Sequence, residues 1–158
     1  MKPSTERQGE PRAVRFREYE PRDFERLCVL DRMCFPPAIA YDPEEIAAAL
    51  IQPRMLCLVG EQNAEIVGFI LLDWRRTVGH IITIDLHPDH RRRGLGSTFL
   101  KMAEQRLKRQ GVRRVVLEVA TTNEAAIAFY HVQGFVMQRL LRRYYRDGTD
   151  ARLMEKAI

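Results

Sequence analysis

The sequence predicts an α+β fold: a mixed, mostly antiparallel sheet of about six to seven strands flanked by about four helices. Three observations predict it. Strand-like segments at 55–61, 65–74 and 78–88 succeed one another across short polar turns, which reads as an antiparallel meander. An amphipathic helical stretch from Gly96 to Gln110 then separates the third segment from a buried, strand-like run at 113–120, so the chain crosses over between them. Two last strand-like segments, 135–145 and 151–158, flank the turn "RDGTD".

Each element has a local reason. Residues 1–12, "MKPSTERQGEPR", are polar, carry two prolines and read as a loose tail; 13–158 form one domain. "AVRFREY" (13–19) alternates apolar and charged residues, the pattern of a half-buried strand. From Asp23 to Cys34, apolar residues such as Phe24, Leu27, Cys28 and Leu30 fall at helical spacing. "FPPAIAYDP" interrupts with three prolines, and "PEEIAAALI" restarts a short helix with proline and acids in its first turn. In the central helix Phe99, Leu100, Ala103 and Leu107 share one face, and Gly111 supplies a left-handed stop. "NEAAIAFYHVQG" is a helix capped by Asn123 and stopped by Gly134.

Composition removes whole classes of function. No apolar run approaches the ~20 residues of a membrane span, and the N-terminus lacks the apolar core of a signal peptide, so the cytoplasm is the expected location. Cys28, Cys34 and Cys57 are odd in number and lack CxxC or His-linked spacing, which indicates neither a disulfide framework nor a metal site. The net charge of +5 suits nucleic acid, an anionic cofactor or an acidic partner, and equally an arginine-rich habit, so charge does not choose.

The junction "DLHPDHRRRGLGSTFL" (85–100) is more specific. The first amides of a helix lack intrahelical partners and sit at the positive end of its dipole. A glycine-bearing turn lets an anion approach them, as phosphate sites do. Gly94 and Gly96 make room, while Arg91, Arg92 and Arg93 add positive charge. No GKS or GKT follows, and position 99 is Phe, so neither a Walker loop nor a dinucleotide GxGxxG is present. An ordinary strand-to-helix turn with solvated arginines remains the alternative.

"HPDHRRRGLGSTFL" together with "LEVATTNEAAIAFYHVQGFV" downstream strongly resembles the GNAT superfamily of acyl-CoA-dependent N-acetyltransferases. Arg91, Gly94 and Gly96 carry its R-x-x-G-x-G signature, and residues 123–135 carry a second, independent motif. The tail "RRYYRDGTDARLM" and the loop "CFPPAIAY" further resemble RimI-type protein N-terminal acetyltransferases, although the "FPW" form of the bacterial ribosomal enzymes is replaced by "FPPAIAYDPEE". The resemblance implies the GNAT fold and acetyl-CoA as donor. It implies a protein N-terminus as acceptor, a ribosomal protein among the candidates, and admits a homodimer; no membrane or direct nucleic-acid partner is expected.

The resemblance also implies roles. The amides of Arg91, Arg92, Arg93, Gly94, Leu95, Gly96 and Ser97 bind the coenzyme A pyrophosphate. Ile84, Asp85 and Leu86 pair with the pantetheine arm as an added strand. Asn123 adds a cofactor hydrogen bond to its capping role. An α-amine titrates near ~7.7–8.0 and must shed its proton before attacking a thioester. Glu118, the one charge inside "VVLEVA", is the expected base, with His80 as a second candidate. Tyr130, a phenol of ordinary pKa near ~10, retains its proton at neutral pH and is the expected acid. Phe35, Tyr41, His80, Tyr144 and Tyr145 are expected to line the acceptor side; packing is the alternative for the tyrosines. Rival readings are a small-amine acetyltransferase, a CoA-binding module without turnover, and a nucleic-acid binder.

Overall fold

A computed structural model describes residues 12–158; the expected tail lies outside the described residues except for Arg12. The alternating and apolar segments become seven strands in one sheet: β1 (Arg15–Glu18), β2 (Met55–Gln62), β3 (Glu65–Arg75), β4 (Val78–Leu86), β5 (Arg114–Ala120), β6 (Val136–Leu141) and β7 (Ala151–Ala157), in spatial order β1-β2-β3-β4-β5-β7-β6. Four helices pack on it: α1 (Phe24–Cys34), α2 (Pro43–Leu50), α3 (Leu95–Arg109) and α4 (Glu124–Val132). All pairings are antiparallel except β4–β5, which the α3 crossover makes parallel. The meander, the crossover and the closing hairpin are as the sequence predicts.

Two apolar layers hold the helices to opposite faces. Phe99, Leu100 and Leu107 of α3 pack with Val115, Leu117 and Val119 of β5 and with Phe135 and Met154. On the other face Leu27 and Leu30 of α1 meet Val59, Phe69 and Leu71. Phe99 is wholly buried, so truncating it to alanine costs about 3–5 kcal/mol.

The sixth strand is shorter than its sequence suggests. The expected 135–145 segment ends at Leu141, because Arg143 adopts φ 48° and its N–H is taken by the Asp150 carboxylate at 2.8 Å. A left-handed residue cannot continue a ladder. Tyr144 and Tyr145 therefore sit in the connection to β7, not in a strand.

One irregularity positions the site. β4 pairs with β5 only at Val78↔Arg114, Gly79↔Val115 and His80↔Val116, yet stays paired with β3 as far as Leu86. A bulge in β4 falls at Ile82, between the pairs Leu72↔Ile81 and Leu71↔Thr83. Beyond His80 the two parallel strands part, and a wedge opens between them.

Candidate active site

The wide end of the wedge meets the start of α3. Gly94 caps that helix with φ 79°, a left-handed conformation that strains any residue carrying a Cβ. The first intrahelical bond runs from Thr98 N–H to the Gly94 carbonyl at 3.1 Å, which leaves the amides of Leu95, Gly96 and Ser97 without helical acceptors. At Gly96 a Cβ would lie 3.1 Å from the Phe129 ring, so glycine lets α4 press against this turn. Gln133 of that same segment donates to the Ser97 hydroxyl at 2.8 Å. Arg92 and Arg93 are exposed, while Arg91 Nε donates to the Leu86 carbonyl at 3.1 Å and ties the turn to the end of β4. Orphan amides, a missing side chain and flanking cations fit a pyrophosphate.

β4 offers backbone to the wedge selectively. His87 N–H bonds the Val67 carbonyl at 2.8 Å, and antiparallel pairing alternates, so Asp85 turns its backbone toward β3 while Ile84 and Leu86 turn theirs toward the open side. Ile84 and the Leu86 N–H thus face the open side, while the Leu86 carbonyl on that side is taken by Arg91 and Cys34. Asp85 is not placed as the resemblance requires: its backbone faces the neighbouring strand and its fully buried side chain faces α1. Strand alternation forbids three consecutive residues from serving one partner.

Tyr130 rises from α4 at the wedge. It is only 8% exposed, its ring set edge-on to Phe129 at 5.2 Å and Phe135 at 5.5 Å. Burial pushes its phenol above the ordinary value, so it stays protonated. Asn123 caps α4, its side-chain oxygen accepting from Ala126 N–H at 3.1 Å, with the amide nitrogen left over for a ligand.

On the opposite face Glu118 stands two residues beyond the last β4–β5 pair. Its environment is not the apolar strand interior that the sequence suggests: Oε2 lies 2.6 Å from His80 Nε2. The carboxylate hydrogen bond holds the imidazole above its ordinary pKa, against the opposing effect of burial. The other ring nitrogen, Nδ1, lies 4.0 Å from Asp73 Oδ1. Both nitrogens of His80 face carboxylates, which leaves Glu118 Oε1 as the oxygen free to meet an amine.

The acceptor side is built from distant segments. Tyr41 sends its hydroxyl to the Ile82 carbonyl at 3.4 Å, so the bulge of β4 is read by the proline loop. Tyr144 and Tyr145 stack edge-on at 5.0 Å, and burial raises both phenols, as it does that of Tyr41. Phe35 ends α1, half-buried. Arg146 joins the two loops across this space, contacting Asp42 at 3.2 Å and Glu45 at 2.9 Å. Sequence reasoning missed three contacts: the His80–Glu118 pair, the Arg146 bridge, and Cys34, whose thiol donates to the Leu86 carbonyl at 3.3 Å. Nothing local signals them. Cys34 is held protonated by burial, which suits a hydrogen-bond donor and not a nucleophile.

A strand wedge closed by a helix start with unpaired amides, with a carboxylate on one face and a buried phenol on the other, suits an acyl-CoA-dependent transferase. Comparison with known proteins agrees. The profile of the Acetyltransferase (GNAT) family matches residues 16–135, and the chain belongs to that family. It is similar to the N-alpha-acetyltransferase of Sulfurisphaera tokodaii, at 28% identity over 89% of this chain and 90% of that protein. It is 32% identical to human N-alpha-acetyltransferase 30 over 90% of this chain and 41% of that longer protein. Among solved structures, the ribosomal-protein-S18-alanine N-acetyltransferase of Escherichia coli superposes with a TM-score of 0.81 at 27% identity, covering 92% of this chain and 94% of that one. Ard1 of Thermoplasma volcanium gives 0.85 at 28%, covering 92% and 98%. The protein is an N-acetyltransferase with acetyl-CoA as its donor. Among the described residues no helix is long and apolar enough to cross a membrane, and no cluster of metal-ligating side chains is present.

Proposed function

We propose that this enzyme acetylates the N-terminal α-amine of a protein chain by direct transfer, with Glu118 as base and Tyr130 as acid. Acetyl-CoA supplies the activated acyl group. The amides of Leu95, Gly96 and Ser97, with Arg92 and Arg93, hold its phosphates, and Ile84 and Leu86 offer backbone to its pantetheine arm. Glu118 Oε1 takes the proton that the incoming ammonium must lose, directly or through a water, while His80 and Asp73 orient the carboxylate. As the new C–N bond forms and the C–S bond breaks, the Tyr130 hydroxyl gives its proton to the leaving sulfur and is restored by the second proton that the acylated nitrogen loses. Direct attack needs no protein nucleophile, which agrees with the state of Cys34.

The observation that carries this reading is the placement of Glu118 and Tyr130 on opposite faces of the sheet, at the point where β4 and β5 part. A peptide acceptor in particular is supported by the paired tyrosines and by the Arg146 bridge between the β6–β7 connection and the start of α2. It is supported too by relatives named for N-terminal acetylation. A ribosomal protein belongs among the acceptors to try. The test is a library of N-terminal peptides incubated with acetyl-CoA and read by mass spectrometry, beside a panel of polyamines, aminoglycosides and amino acids. Acetyl groups on peptide α-amines are expected. Turnover confined to the small amines overturns the acceptor class.

A further inference from the structure

Asp31 and Asp85 are each 0% exposed, and the chemistry above uses neither. Asp31 Oδ2 accepts the Tyr41 N–H at 2.7 Å, and Asp85 Oδ1 accepts the Thr83 hydroxyl. The remaining oxygens, Asp31 Oδ1 and Asp85 Oδ2, have no hydrogen-bond partner among the described residues, and the two carboxyls lie close enough to influence one another's ionisation. Two buried carboxylates in contact do not both ionise, because no water screens their repulsion. One proton placed between the orphaned oxygens satisfies both. The surroundings favour keeping it: burial is the dominant influence and holds Asp85 well above the usual carboxylate range. Cys28, Arg32, Glu45 and Tyr41 face Asp31, while Arg91, Cys34, Cys57 and Tyr130 face Asp85.

We infer that this shared proton is a clasp that fastens the last turn of α1 and the loop bearing Tyr41 to β4 beyond its bulge, and so sets the acceptor side of the site against Ile84 and Leu86. Asp31 and Asp85 are positioning residues; neither reaches the reacting atoms. The kinetic part of the inference rests on the peptide acetylation proposed above, and the titration part does not.

The experiment has two arms. Asp85→Asn replaces the shared proton with an amide N–H, so the peptide KM stays within about twofold of wild type, whereas Asp31→Ala strands the Tyr41 amide and raises it about tenfold with a smaller change in kcat. Should the alanine variant not fold, Asp31→Asn takes its place; it keeps both hydrogen bonds, and a tenfold rise there overturns the clasp as surely as an unchanged KM in Asp31→Ala. The second arm follows the unfolding midpoint with pH. Unfolded aspartates titrate near ~3.9, so from above that value up to the raised pKa of the pair the folded wild type holds one proton more than its unfolded chain and loses stability as pH rises. Asp85→Asn holds no such proton, so its midpoint gains on wild type steadily across that range. A gap that does not change with pH overturns the shared proton. If no peptide is acetylated even by wild type, the proposed function fails while the titration still decides whether the proton is shared.

Discussion

The donor half and the acceptor half of this site are built on different principles. In the proposed reading phosphates are met by the main-chain amides of Leu95, Gly96 and Ser97, whose geometry is set by two glycines and the start of one helix; the Arg91 amide, expected to join them, is already taken by the Pro88 carbonyl at 3.3 Å. The proposed acceptor side is built from side chains of the proline loop, β4, β5 and the β6–β7 connection, residues up to about a hundred apart in sequence, as in the Arg146–Asp42 contact. A backbone site survives most side-chain changes and fails when a Cβ intrudes. A side-chain site fails by single substitutions and retunes by others. The donor half thus suits a fixed ligand, and the acceptor half suits selection among substrates.

This contrast sets the expected order of effects. The largest falls on Glu118→Gln, which removes the proposed base and should lower kcat about 10²–10⁴-fold while the KM for acetyl-CoA stays near wild type in steady-state assays. A donor KM that rises as steeply as kcat falls would erase the boundary between the halves. Next is Gly96→Val, whose added carbons meet the Phe129 ring. Calorimetry with acetyl-CoA should show affinity falling about 10²-fold, whereas Arg93→Ala, losing only an exposed charge, changes it about threefold or less. Tyr130→Phe comes third: kcat drops about 10–10²-fold with the fold intact, since the ring keeps its packing against Phe129 and Phe135.

His80 gives the smallest effect and the most informative one. Its pKa is raised in the folded state by Glu118, so the stability this pair contributes is present below the unfolded value near ~6.5 and is lost as pH rises through the raised value. The midpoint difference between wild type and His80→Gln should therefore shrink as pH climbs from about 6.5, in thermal scans at constant ionic strength. The imidazole is about a third exposed, so the difference stays small. Its kcat should fall several-fold at most if, as proposed, His80 orients Glu118 and does not replace it; a loss as deep as that of Glu118→Gln would move the base to His80.

Much of this was legible in the residues. Periodicity placed all four helices and all seven strands, and Asn123 caps α4 as its type and position require. The glycine turn was readable because a backbone site is written in contiguous sequence. The end of β6 was not, since the break comes from Asp150 reaching back to the Arg143 amide, a contact seven residues long that strand propensity does not register. Asp85 misled for a related reason: its neighbours face the wedge, and strand alternation turns it away.

Chain order, helix and strand identity, and the anion-binding turn follow from local sterics, hydrogen-bond accounting and apolar spacing, which act over a few residues and are present in the linear text. The wedge, the His80–Glu118 pair and the carboxyl clasp of Asp31 with Asp85 exist only once β4 lies beside β5 and α1 crosses the sheet. Residues 38 positions apart become hydrogen-bond partners there, and the Glu118 carboxylate holds the proton on His80 while burial holds one on Asp85.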